Sequence, residues 1–278
     1  MDNSEQADND NSRLLESDSS VHYQWSGSNL GFATAYNILL KRAHSLGASY
    51  FLMLNPDMIL EPEAINNLLT ALISDKKLGS VAPKILHWDF INKQTSDIID
   101  SCGIINLPSL RFVDLGQGEK DRGQYDQHSI LGPSGCAGLY RLSALEAIKV
   151  NNQYFDQAFF MYKEDADLVY RLQLAGYNSQ LVPTAIVYHH RTVKSQGRSW
   201  QHIIADRANK SKWSKQESFL GQIIFFYKYW FVQSLWQKFR ILIRLKLILS
   251  YILFFEPSLL KQLGKFWRKK AQLKQYGK

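Results

Sequence analysis

The chain has 278 residues and a mass of 32.1 kDa, enough for one large domain, and 45 % of its residues are hydrophobic. This composition excludes a wholly disordered, collagen-like or mucin-like protein. Two cysteines, Cys102 and Cys136, exclude a disulfide scaffold and a cysteine-rich zinc module. They suit a reducing compartment, and we expect both to be small buried apolar residues.

The net charge of +8 is divided unevenly along the chain. Residues 201–278 contain 16 basic and 3 acidic side chains, whereas residues 1–200 contain 17 basic and 22 acidic ones. We therefore predict a body over residues 1–200 and a basic, aromatic-rich helical tail over residues 201–278. The first 20 residues are acidic and polar, without the basic and apolar regions of a secretory signal.

Helical spacing alternates with short apolar runs along the body. The pattern predicts helices over residues 32–46, from Pro62 onward, over 145–148 and over 164–175, and buried strands over 50–54, 78–82 and 185–188. Such alternation predicts a layered α/β domain with a mostly parallel sheet.

Three polar clusters lie at the ends of these elements. Asn55-Pro56-Asp57 follows the first strand, His189 and His190 follow the last strand, and Glu164-Asp165 opens a helix. Ligands of open α/β sheets bind beyond the carboxyl ends of the strands. Carboxylates and an imidazole at one sheet edge could hold Mg²⁺ or Mn²⁺ against a diphosphate, and a further carboxylate could act as a general base.

Each cluster also has an alternative, purely structural interpretation. Asn-Pro-Asp is common in turns, acidic residues at a helix start complement the helix dipole, and histidines at a strand end are often structural. Asp167 and Arg171, four residues apart, are typical of an ion pair on a helix surface. Taken separately the clusters do not specify a function, but their order along the chain is more specific.

Four segments carry a resemblance to a known family. They are Asn29–Phe32 with Asn37, Leu54–Asp57, Ser134–Ala137 with Arg141, and Phe155–Leu168. Together they resemble family-2 glycosyltransferases of the rhamnosyltransferase-like branch, which carries Asn-Pro-Asp where other members carry Asp-x-Asp. The resemblance extends over about residues 2–195 and includes Asp100–Gly103, Asp121–Gly123 and the strand that ends at His189.

The resemblance implies a GT-A fold and an inverting sugar transfer from a nucleotide diphosphate. Asp165 would be the catalytic base, and Glu164 would orient that base or the acceptor. Asp57, with His189, would hold Mg²⁺ or Mn²⁺ against the donor diphosphate. Residues implied to lie near the nucleotide sugar are Asp2, Asn29, Gly31, Asn55, Asp57 and Gly135.

Two departures from the family pattern affect these expectations. Asn55 replaces the first acid of Asp-x-Asp, so Asp57 alone could be left to bind the metal. In the family a strand, a helix and most of a second strand precede the Asp-Asn-x-Ser motif, but here Asp2-Asn3-Ser4 directly follows Met1. We therefore expect an N-terminally incomplete domain, explained by a start assigned too late, a fragment, or a degenerate pseudoenzyme.

The basic tail combines aromatic and apolar residues with positive charge. Residues 219–236 and 239–255 are each interrupted by polar side chains, which argues against a helix that spans a membrane. The basic residues that follow indicate attachment to an anionic membrane surface: Lys261, Lys265, Arg268, Lys269 and Lys270. The alternative is a helical appendage that packs on the body. Nucleic acid is not an expected partner, because no recognition module accompanies the charge.

The sequence therefore predicts a cytoplasmic glycosyltransferase, peripheral at the inner face of the cell membrane. It would move a sugar, with rhamnose among the candidates, from a dTDP or UDP donor to a surface-glycan or lipid-linked acceptor. One alternative is a catalytically inactive, truncated relative that serves as a membrane-bound partner. Another is a metal-dependent phosphohydrolase, because carboxylates, histidine and a diphosphate also suit that chemistry.

Overall fold

The computed structural model describes residues 1–7, 21–89, 92–190 and 211–277. The helices are α1 (Phe32–Ser45), α2 (Ala64–Ser74), α3 (Leu142–Ala147), α4 (Glu164–Leu174), α5 (Lys212–Tyr229), α6 (Leu235–Phe255) and α7 (Lys261–Lys269). The strands are β1 (Tyr50–Leu54), β2 (Met58–Leu60), β3 (Leu78–Asp89), β4 (Gln94–Ser101), β5 (Ile104–Leu107), β6 (Arg111–Asp114), β7 (Ala137–Arg141) and β8 (Asn178–His189). The predicted boundary at residue 200 lies outside the described residues.

The main sheet has the strand order β1-β7-β3-β8-β2, with β4 paired to β3 beyond this path. Its parallel pair is β3 with β8, and its other described pairs are antiparallel. The prediction of a mostly parallel sheet was therefore wrong. Alternation along the chain does not specify which strands become neighbours, and here β7 inserts antiparallel between β1 and β3.

Strand β3 lies at the centre of this sheet, and residues 78–86 are all buried. A strand covered on both faces is expected to be largely apolar, and residues 78–82 were predicted as a short buried strand. Helix α2 covers one face, where Leu68 and Leu72 join Val81 in a common cluster. The hairpin of β5 and β6 stands apart from the main sheet as a second, two-stranded sheet.

Helix α5, the first described helix of the tail, packs into the main hydrophobic core. Its residues Ile224, Phe225 and Tyr229 are fully buried, in the same cluster as Phe159 and Tyr170. The ring centroids of Phe225 and Tyr229 lie 4.6 Å apart, and Tyr229 meets Tyr170 edge to face at 4.7 Å. Helix α5 thus belongs to the same core as the body, as the packed-appendage alternative expects.

A buried polar network joins α5 to α4. Asp167 has no exposed surface and accepts hydrogen bonds from Lys228 Nζ at 2.5 Å, Tyr229 Oη at 2.7 Å and Arg171 Nε at 2.9 Å. Lys228 also reaches Asp156 at 2.6 Å. Asp167 and Arg171 are therefore not the surface pair that their spacing predicted. Burial alone would raise the pKa of Asp167, but Lys228 and Arg171 hold it below its ordinary value.

Helix α6, unlike α5, has most of its side chains partly or fully exposed to solvent. Of its 21 residues, Ile241 and Ile252 are buried. Large apolar side chains face solvent along its length: Leu235, Trp236, Phe239, Leu242, Ile243, Leu247, Tyr251, Leu253, Phe254 and Phe255. Across the described ranges, no helix is both long enough and apolar enough to cross a membrane.

Replacement of Lys228 by methionine should destabilise the fold. The change leaves the buried Asp167 charge with less compensation, and removal of one partner of a buried ion pair costs about 3–5 kcal/mol. Guanidinium chloride unfolding followed by circular dichroism measures the loss. Lys246→Met, the same substitution at an exposed position of α6, is the control and should change the free energy of unfolding by less than about 0.5 kcal/mol. Equal stability of the two variants would contradict the structural role of Lys228.

Candidate functional site

Three strand ends bring the predicted polar residues to one edge of the main sheet. Strands β3 and β8 run parallel, with His87 and His189 as neighbours at their carboxyl ends. Strand β1 ends at Leu54, and the backbone N–H of Asn55 then donates to the carbonyl of Cys136 at 2.9 Å. The site lies beyond the carboxyl ends of these strands, as expected for an open α/β sheet.

His189 lies between two carboxylates. Its Nε2 is 3.2 Å from Asp57 Oδ2, and its Nδ1 is 2.6 Å from Asp100 Oδ2. Asp100 is 2 % exposed, whereas the Asp57 side chain is 45 % exposed. A buried carboxylate on one ring nitrogen fixes the orientation of the ring and directs the other nitrogen outward. The structure therefore aims His189 Nε2 at the exposed carboxylate of Asp57.

This donor set fits a divalent cation. The ligand atoms of an octahedral Mg²⁺ site lie about 2.1 Å from the ion and hence roughly 3 Å from each other. The 3.2 Å between His189 Nε2 and Asp57 Oδ2 matches that separation, and the exposure of Asp57 leaves this side open. Asp100 would hold the His189 ring through Nδ1 and would not itself bind the ion. The structure thus brings together the two predicted metal ligands, Asp57 and His189. Asp100, to which the sequence analysis assigned no role, supports the histidine.

A second donor set shares the same histidine. Ligand atoms of Asp100, Cys136 and His189 lie within 4.8 Å of one another. This set fits Mg²⁺ or Mn²⁺ less well, because a thiol is a soft ligand and hard cations prefer oxygen. The short contact between Asp100 and His189 also indicates a hydrogen bond between the two groups. The donor atoms on the side of Asp57 therefore suit a hard divalent cation better than the set that includes Cys136.

The catalytic candidates Glu164 and Asp165 stand at the start of α4 after an unusual backbone segment. Tyr162 and Lys163 have φ angles of +68° and +75°, in the left-handed region that costs energy for residues other than glycine. Helix α5 holds this segment closely, since a Cβ added at Gly221 would lie 3.1 Å from the carbonyl oxygen of Tyr162. Directly after this strained turn, Glu164 and Asp165 line one cavity.

That cavity has a volume of about 480 Å³, and four of the predicted residues line it: Asn55, Gly135, Glu164 and Asp165. Asp165 Oδ2 accepts the backbone N–H of Gly135 at 3.0 Å, and its Oδ1 accepts the N–H of Ala166 at 2.7 Å. A Cβ at position 135 would approach Asp165 Oδ2 to 3.2 Å. Glycine at this position therefore leaves room for the carboxylate and holds it with a backbone donor.

Glu164 has a different environment from its neighbour. Its side chain is 5 % exposed, and its Oε2 has no hydrogen-bond partner among the described residues. Burial, and secondarily the charge of Asp165, raises the pKa of Glu164 to about 8. Near neutral pH, Glu164 is therefore largely protonated and can donate a hydrogen bond into the cavity.

The remaining predicted residues form a separate group beside α1. Asp2 pairs with Trp25 in an isolated parallel bridge, and Asn29 Oδ1 accepts the N–H of Gly31 at 2.9 Å. Gly31 has a φ of +77°, and a Cβ there would lie 2.8 Å from the Phe160 ring. None of the three lines the cavity, but Phe32, next to Gly31, does. The structure therefore does not bring these three residues into the cavity with the carboxylates, and Gly31 adjoins it only through Phe32.

Sequence reasoning left several cavity residues without a role. Asp100 was noted only as part of a family motif, and Cys136 was expected to be a buried apolar residue, although it is half-buried and lines the cavity. Cys102 is fully buried, as predicted. Asp114 and Ser218 also line the cavity, from the β5–β6 hairpin and from α5. No local pattern marks these two, because distant elements bring them to the site.

The chain is similar to characterised rhamnosyltransferases. It is 27 % identical over 213 residues to the N-acetylglucosaminyl-diphospho-decaprenol L-rhamnosyltransferase of Mycobacterium tuberculosis, a match covering 64 % of this chain and 62 % of that enzyme. It is 29 % identical over 173 residues to the rhamnosyltransferase WbbL of Escherichia coli, which covers 61 % of this chain and 62 % of WbbL. The matched region thus spans less than two thirds of each relative. No family model matches the chain.

A solved structure identifies the architecture. GalNAc-T7, crystallised with UDP, GalNAc and Mn²⁺, superposes with a TM-score of 0.50 at 12 % sequence identity, over 74 % of this chain and 36 % of GalNAc-T7. The chain has a GT-A fold. The predicted fold class is thereby confirmed, and so is the helical, basic C-terminal extension, which consists of α5 to α7.

The raised pKa of Glu164 predicts a stability that depends on pH. An acid with a higher pKa in the folded than in the unfolded chain stabilises the fold fully below the unfolded value, here 4.5, and loses that contribution as the pH rises towards 8. Glu164→Gln should therefore be more stable than the parent at pH 8, by a few kcal/mol, and nearly equal at pH 4.5. Urea unfolding at both pH values measures the difference.

The control for this prediction is Glu63→Gln, the same change at an exposed position. It should alter the free energy of unfolding little at either pH. A Glu164→Gln variant that is no more stable than the parent at pH 8 would contradict the protonated state of Glu164.

Proposed function

We propose that the protein is an inverting glycosyltransferase that moves a sugar from a nucleotide-diphosphate donor to an acceptor hydroxyl group. The observation that carries the proposal is the placement of the Asp165 carboxylate in a cavity of a GT-A fold, where Gly135 holds it with a backbone hydrogen bond. Similarity to two rhamnosyltransferases supports it. Rhamnose is a candidate sugar, and dTDP or UDP a candidate carrier.

In this reaction Asp165 acts as the general base. The acceptor oxygen attacks the anomeric carbon on the face opposite the diphosphate, forming a new glycosidic bond while the bond to the diphosphate oxygen breaks. The hydroxyl proton passes to the Asp165 carboxylate, and the diphosphate departs with the bonding electrons. Attack from the opposite face inverts the anomeric configuration through an oxocarbenium-like transition state.

Glu164 has a role that its neighbour cannot fill. Because burial keeps it protonated near neutral pH, it donates rather than accepts a hydrogen bond. Its unpartnered Oε2 and its place on the cavity wall suit it to orient an acceptor oxygen beside Asp165. The two carboxyl groups lie in different environments, so Asp165 can serve as the base while Glu164 orients the acceptor. Such a division of roles is common between neighbouring acids.

The leaving diphosphate belongs at the opposite side of the site. Asp57 and His189 would hold Mg²⁺ or Mn²⁺ there, and such an ion neutralises charge that develops on the leaving group. Asn55 adds an amide at the cavity wall. Asp2, Asn29 and Gly31, beside α1, are proposed to contact the nucleotide.

We also propose that α6 binds the surface of an anionic membrane, the location of a lipid-linked acceptor. Its apolar side chains are far more exposed than is usual for a soluble surface, with Leu235 at 85 % and Phe254 at 77 %. Exposed basic side chains accompany them, including Lys246 and Arg268. Apolar side chains that insert and basic ones that meet anionic headgroups are the two components of peripheral membrane binding.

The alternatives predict different reactions. A phosphohydrolase would release phosphate from the nucleotide diphosphate without an acceptor, and an inactive relative would do neither. Sequence similarity to two transferases and the carboxylate pair in the cavity favour transfer over both.

Asp165→Asn should lower the rate constant for sugar transfer by about 10²- to 10⁴-fold, the usual contribution of a general base, with little change in the KM for the donor. The measurement is transfer of radiolabelled sugar from dTDP-rhamnose and from UDP-sugars to a membrane-lipid extract. Asp97→Asn, which changes an aspartate whose side chain is 56 % exposed, is the matched control and should keep parent activity.

Two results would contradict the proposed reaction. One is full transfer activity in the Asp165→Asn variant. The other is phosphate release at the same rate with and without acceptor, which would identify a hydrolase.

Phe254→Ser with Phe255→Ser should weaken membrane binding by tenfold or more, because burial of each phenyl group in the bilayer interface stabilises the bound state. Flotation with vesicles of phosphatidylcholine and phosphatidylglycerol measures binding, and added salt should weaken it for the parent. Leu46→Ser with Ile73→Ser, at exposed apolar positions of the body, is the control and should float like the parent. Equal loss in both double variants would contradict a specific role of α6.

A further inference from the structure

The β5–β6 hairpin and the turn after it give the cavity a polar wall that the proposed reaction does not use. Asp114, the last residue of β6, and Gln117, three residues later, both line the cavity, as does Asp100. Both side chains are half-buried, so a ligand in the cavity can reach them. A carboxylate accepts hydrogen bonds and an amide both donates and accepts them, which suits the hydroxyl groups of a sugar.

Asp114 is held in place by the end of β4 and the residues that follow it. Its Oδ1 accepts the hydroxyl of Ser101 at 2.9 Å, and Ser101 Oγ in turn accepts the backbone N–H of Gly103 at 3.0 Å. Directly after Asp114, the N–H of Leu115 donates to the carbonyl of Gly103 at 2.8 Å. A carboxylate that its surroundings already orient loses less conformational entropy when it binds a ligand.

Gln117 stands in a tight turn between two glycines. Gly116 and Gly118 have φ angles of +77° and +78°, a backbone conformation that favours glycine. A Cβ at position 116 would also lie 2.8 Å from the Tyr125 ring. The turn places Gln117 Nε2 at 3.4 Å from Asp114 Oδ2 and at 3.4 Å from the Asp100 carbonyl oxygen. Hydrogen bonds of this length are weak, so a sugar hydroxyl can replace them at little cost.

The wall adjoins the side of the site that suits a divalent cation. Asp100, whose carbonyl oxygen contacts Gln117, holds His189 through its carboxylate at 2.6 Å. Asp165 lines the same cavity. In the proposed reaction the transferred sugar is bonded to the diphosphate at the cation and faces the acceptor at Asp165. Its ring therefore occupies the cavity beside Asp100, where its hydroxyl groups meet Asp114 and Gln117.

The rest of the lining also matches a sugar ring. Ser134 lines the cavity at 5 % exposure, and its Oγ has no hydrogen-bond partner among the described residues. A buried hydroxyl in this state is unfavourable unless a ligand or a water satisfies it. Phe112 and Val113 add apolar surface next to Asp114. A sugar presents hydroxyl groups and apolar C–H faces together, so polar and apolar groups of the wall both find partners on it.

We propose that Asp114 and Gln117 bind hydroxyl groups of the transferred sugar and thereby determine which donor is used. This assignment rests on the proposed function and adds to it the residues that recognise the donor sugar, separate from those at its diphosphate. Neither residue is a base or a metal ligand in that function. A site built to bind a hydroxyl group discriminates against a sugar that lacks it, because the protein groups are then left unpaired.

Saturation-transfer difference NMR on the full chain with Mg²⁺ tests the contact, with dTDP-rhamnose and UDP-glucose as probes. The parent should saturate both the sugar and the nucleotide protons. Asp114→Ala and Gln117→Ala should lower the sugar signal relative to the nucleotide signal by about threefold or more, since each lost hydrogen bond weakens the hold on the sugar. The matched controls, Asp97→Ala and Gln94→Ala at exposed positions of β4, should keep the parent ratio.

Because Asp114 also supports the hairpin, a variant that keeps this support is needed. Asp114→Asn retains an oxygen that can accept the Ser101 hydroxyl but removes the charge. It should raise the KM for the donor by about tenfold or more, the usual worth of a hydrogen bond to a charged group. The KM for the acceptor, measured with a membrane-lipid extract, should stay near that of the parent.

The proposal would be overturned by parent-like sugar signals in the Asp114 and Gln117 variants, or by equal losses in the two controls. A raised KM for the acceptor with an unchanged KM for the donor would assign the wall to the acceptor and also overturn it. Asp165→Asn should give parent-like saturation of both parts of the donor. Lost transfer with intact donor contacts would therefore concern the base alone, whereas no signal from either probe would contradict the proposed donor class and this assignment together.

Discussion

The buried charge of Asp167 is the constraint on which the arrangement of the site depends. A carboxylate with no exposed surface is tolerated only with compensation, and Arg171 supplies part of it within α4. Lys228 and Tyr229 supply the rest from α5, 61 and 62 residues after Asp167 in the chain. Displacement of α5 would therefore leave the buried Asp167 charge only partly compensated, and this energetic link fixes α5 against α4.

The position of the two candidate catalytic carboxylates, Glu164 and Asp165, depends on that link. Helix α5 presses Gly221 against the strained Tyr162–Lys163 segment, and α4 begins immediately afterwards with Glu164 and Asp165. The backbone N–H of Gly135 then holds Asp165, while burial keeps Glu164 protonated. Two adjacent acids thus have different surroundings: Glu164 is buried, and Asp165 accepts two backbone hydrogen bonds. A helix that the charge pattern assigned to the tail contributes to the geometry of the cavity.

The uneven distribution of charge along the chain corresponds to two different regions of the folded structure. Two acidic groups meet His189 at the end of the sheet, where Asp57 and His189 fit a divalent cation and Asp100 holds the histidine. Positive charge is concentrated on α6 and α7, next to exposed apolar side chains. A polar cavity and a basic, apolar surface therefore lie on the same molecule, and the proposed transfer from a water-soluble donor to a lipid-linked acceptor uses both.

The sequence by itself determined the fold class and most of the site. The family resemblance that the motifs carry predicted a GT-A fold, and it implied four residues that do share a cavity, because such short motifs can be recognised from the sequence alone: Asn55, Gly135, Glu164 and Asp165. The pairing of Asp57 with His189 was also foreseen from two strand ends.

Features that depend on contacts between distant segments of the chain were decided by the tertiary structure alone. The antiparallel insertion of β7, the burial of Asp167 with Lys228, the position of Asp100 behind His189 and the approach of Arg244 to the hairpin all join segments at least 50 residues apart. Local periodicity reports which face of an element is apolar but not which element will cover it. Burial, protonation state and strand order arise from those long-range contacts, and for that physical reason they could not be predicted from the sequence alone.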